Sequence, residues 1–323
     1  MRAVQIHKTG GPEVLTYEEV EVPTPGPGEV RVRHEAIGVN YLDVYQRSGF
    51  YPPASLPLIP GSEGAGVVSA VGPGVAGFKV GDRVAYVTTA GSYADERLVV
   101  VRHLVHLPES VSFDTAAGAM LKGLTAQYLL RQTYRVQPGD TILVHAAAGG
   151  VGQILCQWGK ALGATVIGTV GSDAKGEIAK ASGADHVINY SRENFAERVV
   201  EITKGAKCAV VYDGVGKTTF PASLDCLRPF GIFASYGSAS GAVEAFNLGI
   251  LGQKGSLFAT RPTLFTFLAD RSRLETMAAE LFAILTSGKV KIEVSEVAPL
   301  AEAARIHVAL EARKTTGSIV LKP

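Results

Sequence analysis

A run of small residues at 146–152, Ala-Ala-Ala-Gly-Gly-Val-Gly, has the composition of a turn that binds a diphosphate. Within it, Ala146, Gly149 and Gly152 form an Ala-x-x-Gly-x-x-Gly pattern, with alanine where the dinucleotide fingerprint usually begins with glycine. Small side chains let backbone amides approach phosphate oxygens, and a helix N-terminus adds partial positive charge. A glycine cluster alone is a weak signal, because other tight turns also need glycine.

The segments on either side of this turn strengthen the interpretation. Residues 141–144, Thr-Ile-Leu-Val, are apolar and rich in β-branched side chains, as is typical of a buried parallel strand. After the turn, apolar residues follow the spacing of a helix with one buried face. These residues are Val151, Ile154, Leu155, Trp158 and Leu162.

Further apolar runs continue the pattern, and helical patterns separate the first few of them. Alternating strands and helices predict an α/β fold with a doubly wound parallel sheet. The runs are residues 165–169, 186–190, 209–212, 231–236 and 256–260.

The beginning of the chain has a different pattern. Short alternating runs, such as residues 29–33 and 83–86, are separated by clusters of proline and glycine, such as residues 23–28. This pattern predicts a β-rich domain in which residues 23–28 connect two strands. Helices are predicted at 114–134, 271–287 and 300–312, with a final strand at 318–321. We therefore predict a discontinuous domain formed by residues 1–125 and 263–323, and a nucleotide-binding domain formed by residues 126–262.

Composition indicates a globular protein without a charge bias. Hydrophobic residues make up 46% and charged residues 19% of the 323 residues, and the formal net charge is +1. These values give no reason to expect nucleic acid or an anionic membrane as a partner. The sequence has no signal-peptide h-region, so a cytoplasmic location is expected. Its three cysteines form no disulfide framework, and Cys156 is predicted to be a buried small hydrophobe.

Several motifs resemble the medium-chain dehydrogenase/reductase superfamily along essentially the whole chain, namely residues 61–66, 81–84, 146–152 and 317–320. Within that superfamily the chain is similar to the quinone oxidoreductases of the zeta-crystallin-like branch. The resemblance implies a Rossmann domain and a β-rich GroES-like catalytic domain. Its more specific parts are residues 38–43, 51–53, 120–125 and 212–216, together with Arg313.

The sequence lacks the zinc ligands of the related alcohol dehydrogenases. By the resemblance, their cysteine and histidine positions fall at Asn40 and Ser62, whose side chains are not soft zinc ligands. His103 and His106 have no cysteine or carboxylate at ligand spacing. We therefore expect no metal. Without a Lewis acid, alcohol oxidation is disfavoured, whereas a quinone accepts a hydride more easily.

The turn after the second strand of the nucleotide-binding domain bears on the choice of nicotinamide. Asp173 could accept a hydrogen bond from the ribose 2′-hydroxyl of NADH, whereas Ser172 and Lys175 suit a phosphate. The resemblance assigns Lys175, Tyr190 and Arg313 to the 2′-phosphate. NADPH is therefore the predicted cofactor.

The resemblance also places Asn40, Asp43 and Tyr45 beside the nicotinamide and the acceptor, and Tyr51 at the pocket. Asn40, Tyr45 and Tyr51 are the predicted catalytic residues, although a tyrosine in a β-rich domain can equally be a core or rim residue. Loops at the carboxyl ends of parallel strands are expected to contact the rest of the cofactor. The predicted cofactor-binding residues are Asn40, Asp43, Tyr45, Thr125, Gly149, Gly150, Val151, Gly171, Ser172, Lys175, Tyr190, Val215, Gly216, Ser238, Gly241, Phe258 and Arg313.

Two details stay open at this stage. Arg261 either pairs with the substrate or closes a surface turn, and the proton that completes hydroquinone formation comes from water or from Tyr45. The sequence shows no Ser-His-Asp set, no paired catalytic carboxylates and no Cys-His pair, none of which hydride transfer requires.

The prediction is an NADPH-dependent, metal-free quinone oxidoreductase. By the resemblance, it forms a homodimer through the strand near residues 256–260. The alternative enzyme reduces the carbon–carbon double bond of an enone or enoyl thioester. A third alternative is a non-catalytic nucleotide-binding or RNA-binding protein, although the chain has no basic and aromatic stripe for RNA.

Overall fold

The structure is a computed structural model that describes residues 1–22 and 24–323. Its strands are β1 (Arg2–Gln5), β2 (Thr16–Glu19), β3 (Glu29–Val39), β4 (Glu63–Val71), β5 (Arg83–Val87), β6 (Glu96–Val100), β7 (Leu104–His106), β8 (Thr141–Val144), β9 (Thr165–Val170), β10 (His186–Asn189), β11 (Cys208–Asp213), β12 (Leu227–Ser235), β13 (Phe258–Thr260), β14 (Val294–Pro299) and β15 (Ser318–Lys322).

The α-helices are α1 (Tyr41–Ser48), α2 (Phe113–Tyr128), α3 (Gly150–Ala161), α4 (Asp173–Ala181), α5 (Phe195–Ile202), α6 (Ala222–Asp225), α7 (Gly249–Gln253), α8 (Leu264–Leu268), α9 (Arg271–Thr286) and α10 (Ala303–Glu311). Short 3₁₀ helices cover Pro12–Val14, Val101–His103 and Leu300–Glu302, and a π-helical segment covers Leu129–Thr133. Within the described residues, no helix is long and apolar enough to cross a membrane.

The chain divides into two compact units. The first unit comprises Met1–Leu124, Leu268–Thr286 and Ile292–Pro323, and the second comprises Thr125–Phe267 and Ser287–Lys291. The chain thus returns to the first unit at Leu268, and the short segment 287–291 again belongs to the second unit.

A six-stranded sheet, in the order β10-β9-β8-β11-β12-β13, forms the centre of the second unit. All its strand pairs are parallel. The strand order reverses between β8 and β11, which confirms the predicted doubly wound sheet and defines the point at which such sheets bind dinucleotides. Five neighbouring strands each contribute to one buried cluster, through Leu143, Ile167, Ile188, Val211 and Phe233.

The first unit contains a mainly antiparallel sheet in the order β14-β15-β3-β4-β5-β7, with β6 paired to β3. The pairing of β15 with β3 brings the C-terminal strand back to the beginning of the chain, which explains why this unit is discontinuous. Val30, Val68, Val84 and Leu104 fill one part of its core. Of the predicted connection over residues 23–28, Pro23 lies outside the described residues, and the remainder joins β2 to β3.

Some elements differ from the sequence-based expectation. Helix α1 forms at 41–48, where no helix is predicted because the surrounding sequence has the alternating pattern of strands. Asn40 caps this helix at its start and Gly49, at φ 82°, ends it in the left-handed region. The predicted burial of Cys156 is confirmed, because the residue is 0% exposed.

Candidate cofactor and substrate sites

The turn between β8 and α3 has the geometry that its small residues predict. Gly149 is the N-cap of α3, so Gly150 and Val151 lie in the first helical turn, where backbone amides lack partners within the helix. A Cβ at Gly152 would lie 2.2 Å from the carbonyl oxygen of Ala146, a distance that only glycine tolerates. The turn therefore presents backbone amides at a helix N-terminus, as a diphosphate requires.

Four predicted cofactor residues gather at the ends of β9 and β10. Ser172 is the N-cap of α4, and its hydroxyl accepts a hydrogen bond from the Lys175 amide at 3.4 Å. A Cβ at Gly171 would lie 2.6 Å from the hydroxyl of Tyr190, so this side chain lies directly over the glycine. The Ser191 hydroxyl donates to the Gly171 carbonyl at 2.9 Å and joins the two segments. The hydroxyl groups of Tyr190 and Ser191 therefore lie around Gly171, next to the start of α4, which carries Ser172 and Lys175.

Asp173, the residue that would favour NADH, is paired in the structure with Asn189 and Arg192, neither of which is among the predicted site residues. Its carboxylate accepts a hydrogen bond from the Asn189 side-chain amide at 2.9 Å and another from the Arg192 guanidinium. The hydrogen bond from Asn189, together with the nearby charge and hydrogen bond of Arg192, lowers the pKa of Asp173. Only the positions of Asn189 and Arg192 could have suggested this pairing, because both residues lie at or just after the end of β10, the strand next to β9.

The loop after β11 brings together the cofactor residues predicted at this end of the sheet. One oxygen of the Asp213 carboxylate accepts hydrogen bonds from the amides of Val215, at 2.7 Å, and Gly216, at 3.0 Å. Gly216 has a φ of 89°, and a Cβ there would lie 2.5 Å from the Gly241 carbonyl and 3.2 Å from the Ser238 Cα. Val215, Gly216, Ser238 and Gly241 thus belong to one cluster that Asp213 organises.

The structure brings a serine, a histidine and an aspartate together beneath this loop, although no such set was expected. The Ser223 hydroxyl lies 2.9 Å from His145 Nε2 and 3.4 Å from Asp213 Oδ2. Thr169 Oγ1 lies 2.8 Å from the other ring nitrogen of His145. Ser223, His145 and Asp213 are all 0% exposed, so they form a buried support for the strand ends and not a nucleophile.

The hydrogen bonds of Arg261 favour its role in closing a turn over a role in pairing with the substrate. Its guanidinium donates to the Ser235 carbonyl at 2.7 Å and to the Ser238 hydroxyl at 3.4 Å, which ties the end of β13 to the end of β12.

Phe258 lies on β13, the edge strand of the sheet, and is 59% exposed. Thr125, the first residue of the second unit, is buried on α2.

In the first unit, the predicted residue Asp43 is buried in the structure. It is 0% exposed, and its carboxylate accepts hydrogen bonds from the Asn40 amide, the Ser62 hydroxyl and the Tyr93 hydroxyl at 2.8, 2.9 and 3.1 Å. Burial raises the pKa of Asp43 to about 7, and these hydrogen bonds oppose the increase. The predicted contact between Asp43 and the cofactor stays a prediction. The hydrogen bond to the Asn40 amide joins Asp43 to the start of α1.

Asn40 is further held by a buried ion pair. Its side-chain amide donates to Glu63 Oε1 at 2.8 Å, and the Lys122 ammonium donates to the same oxygen at 3.0 Å. Lys122 also donates to the Val39 carbonyl at 3.1 Å. Glu63 and Lys122 lie inside motifs that carried the family resemblance, but a partnership across 59 residues leaves no local pattern in the sequence.

The positions that correspond to zinc ligands do not fit a zinc ion. Ser62 donates its hydroxyl hydrogen bond to Asp43, and the Asn40 side chain donates to Glu63, so neither presents a soft donor. His106 instead lies 2.9 Å from the Gly77 carbonyl and stacks on Phe78. Across residues 1–22 and 24–323, no group of three or more His, Cys, Asp or Glu side chains could hold a metal ion.

Tyr45 and Tyr51, the other predicted catalytic residues, belong to an aromatic group on and after α1. The ring centroid of Tyr45 lies 5.1 Å from that of Tyr51, 5.0 Å from Phe50 and 5.2 Å from Tyr41. Tyr51 is 39% exposed. The group offers an aromatic surface with phenol hydroxyls. Arg313, which follows α10 with a φ of 57°, also belongs to the first unit.

Two family models match the chain. An alcohol dehydrogenase GroES-like domain matches residues 26–138, and a domain described as zinc-binding dehydrogenase matches residues 150–282. The second match does not include Asn40 or Ser62, so its description does not bear on the residues at the zinc-ligand positions.

Similar proteins match the chain over its full length. A quinone oxidoreductase of Pseudomonas aeruginosa is 54% identical, covering 100% of this chain and 99% of its own. A 2-haloacrylate reductase of a Burkholderia species is 48% identical, covering 99% and 98%. The crystal structure of the Escherichia coli quinone oxidoreductase complexed with NADPH has a TM-score of 0.98, with 48% identity and 100% of both chains covered.

Proposed function

The chain belongs to the quinone oxidoreductases of the medium-chain dehydrogenase/reductase superfamily, and from this premise we propose that it transfers a hydride from NADPH to a quinone without a metal ion. The observation that carries the proposal is the replacement of both zinc-ligand positions by side chains that donate to carboxylates, Ser62 to Asp43 and Asn40 to Glu63. A quinone suits such a site because it accepts a hydride without a Lewis acid.

Residues of the second unit would bind NADPH, which supplies the hydride. In this proposal Gly149, Gly150 and Val151 bind the diphosphate, and the loops organised by Asp213 contact the nicotinamide half. Support for a 2′-phosphate comes from Ser172 and Lys175 at the start of α4 and from Tyr190, which follows β10 and lies over Gly171. To these residues we add Arg313. The remaining cofactor contacts proposed are Thr125, Val215, Gly216, Ser238, Gly241 and Phe258.

Asn40, Tyr45 and Tyr51 of the first unit would orient the reaction. The fixed Asn40 amide positions the nicotinamide ribose or the quinone carbonyl, and the aromatic group of Tyr45 and Tyr51 supplies a wall for a flat ring. A hydride adds to the quinone, and a proton from water or from the Tyr45 phenol completes the hydroquinone. The role of Asp43 is to position Asn40.

A second candidate reaction is the reduction of a carbon–carbon double bond next to a carbonyl group. The observation that favours it is the similarity to the Burkholderia 2-haloacrylate reductase, whose substrate name denotes an α,β-unsaturated acid. In such an acceptor the hydride adds to the β-carbon and a proton adds to the α-carbon, and both reactions use the same cofactor arrangement.

The test compares initial rates of NADPH oxidation with 1,4-benzoquinone, 2-cyclohexenone and 2-chloroacrylate. NADH and a metal chelator serve as controls. Fast, chelator-insensitive turnover with the quinone is expected. Turnover confined to the unsaturated carbonyl compounds would favour the second reaction, and turnover with none of them would favour a non-catalytic nucleotide-binding role.

Lys175→Glu is expected to weaken NADPH binding by about 30-fold, or about 2 kcal/mol, and to leave the affinity for NADH nearly unchanged. The physical reason is that a carboxylate would repel the 2′-phosphate that the ammonium attracts. Binding is measured by fluorescence titration of each nucleotide. Lys204→Glu, at an exposed position after α5 in the same unit, is the control and should change neither affinity. Equal weakening of both nucleotides by the Lys175 variant would exclude this role.

We further propose that the protein is a cytoplasmic homodimer joined through β13. In support, β13 is the edge of its sheet and all its residues are exposed. Ala259→Lys should convert the dimer to a monomer, because like charges would face each other across paired edge strands. Light scattering after size exclusion measures the mass, with the exposed Val200→Lys on α5 as control. A monomeric mass for the unchanged chain would refute the proposal.

A further inference from the structure

We propose that Arg192 is a residue that determines cofactor specificity, by neutralising Asp173 so that the start of α4 accepts the 2′-phosphate of NADPH. This inference rests on the proposed NADPH-dependent function and names one further determinant of it. It concerns residues of the second unit only, at the ends of β9 and β10.

Asp173 stands where a carboxylate would normally select the other nicotinamide. It is the first residue of α4, next to the capping Ser172 and two positions before Lys175. A carboxylate at the end of the second strand accepts a hydrogen bond from a ribose 2′-hydroxyl and repels a phosphate. Asp173 is therefore unfavourable for NADPH unless another group offsets its charge.

The segment after β10 supplies that group. The Arg192 guanidinium donates to Asp173 Oδ1, and the Asn189 side-chain amide donates to the same oxygen at 2.9 Å. The segment is itself attached to the end of β9, because the Ser191 hydroxyl donates to the Gly171 carbonyl at 2.9 Å and Tyr190 covers Gly171. The cation is thus held beside the carboxylate by neighbouring hydrogen bonds.

The local charges show why Arg192 matters. The charged side chains at the start of α4 and after β10 are Asp173, Lys175, Arg192 and Glu193, and Glu193 pairs with Arg198 at 2.8 Å. Farther along α4, Lys180 also acts on Asp173, but Lys180 is itself paired with Glu177 at 2.8 Å. With Arg192 present, two cations oppose Asp173, and the balance favours a phosphate. Without Arg192, the opposite charges of Lys175 and Asp173 cancel, and the start of α4 attracts a phosphate less. The Asp173 side chain is 69% exposed and that of Arg192 is 62% exposed, so this surface pair adds little to stability and its variants should fold.

The experiment is a double-mutant cycle of Arg192→Gln, Asp173→Asn and the combined variant. Dissociation constants for NADPH and NADH are measured by fluorescence titration at low and high salt, and kcat/KM is measured with one quinone. Arg192→Gln should lower the preference for NADPH about 10-fold, through KM and not kcat, because it changes the charge that faces the 2′-phosphate and not the reacting atoms. The combined variant should recover most of that preference.

Two further readouts separate electrostatics from structure. The effect of Arg192→Gln should shrink as salt is raised, since exposed charges are screened. Lys204→Gln, at an exposed position after α5, is the control and should leave the preference unchanged. An equal loss of affinity for NADPH and NADH in Arg192→Gln would overturn the inference. A combined variant that does not recover the preference for NADPH would also overturn it. If the unchanged chain prefers NADH, the proposed cofactor fails; if it prefers NADPH and Arg192→Gln preserves that preference, only this inference fails.

Discussion

Replacing Lys122 with methionine is expected to lower the free energy of unfolding by about 3–5 kcal/mol. The Lys122 ammonium is 3.0 Å from Glu63 Oε1, and Glu63 is 0% exposed. Methionine fills a similar volume but leaves the buried carboxylate without a counter-charge. The Asn40 side chain and the Leu121 amide, the remaining donors to Glu63, do not supply a full positive charge.

Urea denaturation followed by circular dichroism measures this effect. The combined Glu63→Gln and Lys122→Met variant should recover most of the lost stability, because no unpaired charge remains buried. Lys79→Met is the matched control, since Lys79 pairs with Asp82 at 2.6 Å but is 84% exposed, and it should cost about 1 kcal/mol or less. Similar losses in the Lys122 and Lys79 variants would contradict the assignment of a buried ion pair.

The stability of the protein is expected to fall as the pH rises from about 4 to 7, because Asp43 binds a proton more tightly in the folded chain. Burial raises the pKa of Asp43 to about 7, above its value in the unfolded chain. The folded state therefore holds more protons in this interval, and its stabilisation is complete at low pH and lost above the folded pKa. The contribution is on the order of 2–4 kcal/mol.

The measurement is the free energy of unfolding between pH 4 and 8 for the unchanged chain and for Asp43→Asn. The difference between the two should decrease with rising pH and level off above the folded pKa of about 7. The groups facing Asp43 are the Asn40 amide and the hydroxyls of Ser62 and Tyr93, and the nearby Glu63 carboxylate raises the Asp43 pKa further. Tyr93 in turn lies 3.0 Å from His307. Burial lowers the pKa of His307 to about 3, so this histidine stays neutral throughout. A difference that does not vary with pH would show that Asp43 is ionised across the range.

The sequence was sufficient to predict the features that depend on local patterns. Apolar periodicity and the Ala-x-x-Gly-x-x-Gly turn predicted β8, α3 and the parallel sheet, because strands and helices are encoded by the spacing of a few adjacent residues. The residue types at Asn40 and Ser62 were enough to disfavour zinc, since ligand chemistry depends on the side chain itself. The assignments of Tyr45, Tyr51, Lys175 and Arg313 stay predictions.

Only the tertiary structure decided which polar groups become partners. The hydrogen bonds to Asp43, the ion pair between Glu63 and Lys122, and the ion pair between Asp173 and Arg192 all join residues that are distant in sequence. Arg47 of α1 pairs with Glu311, 264 residues away, in the same unit. Such contacts arise from the packing of whole strands and helices, so no short stretch of sequence contains them. Periodicity therefore determined the framework, and chain packing determined which polar and charged groups became partners within it.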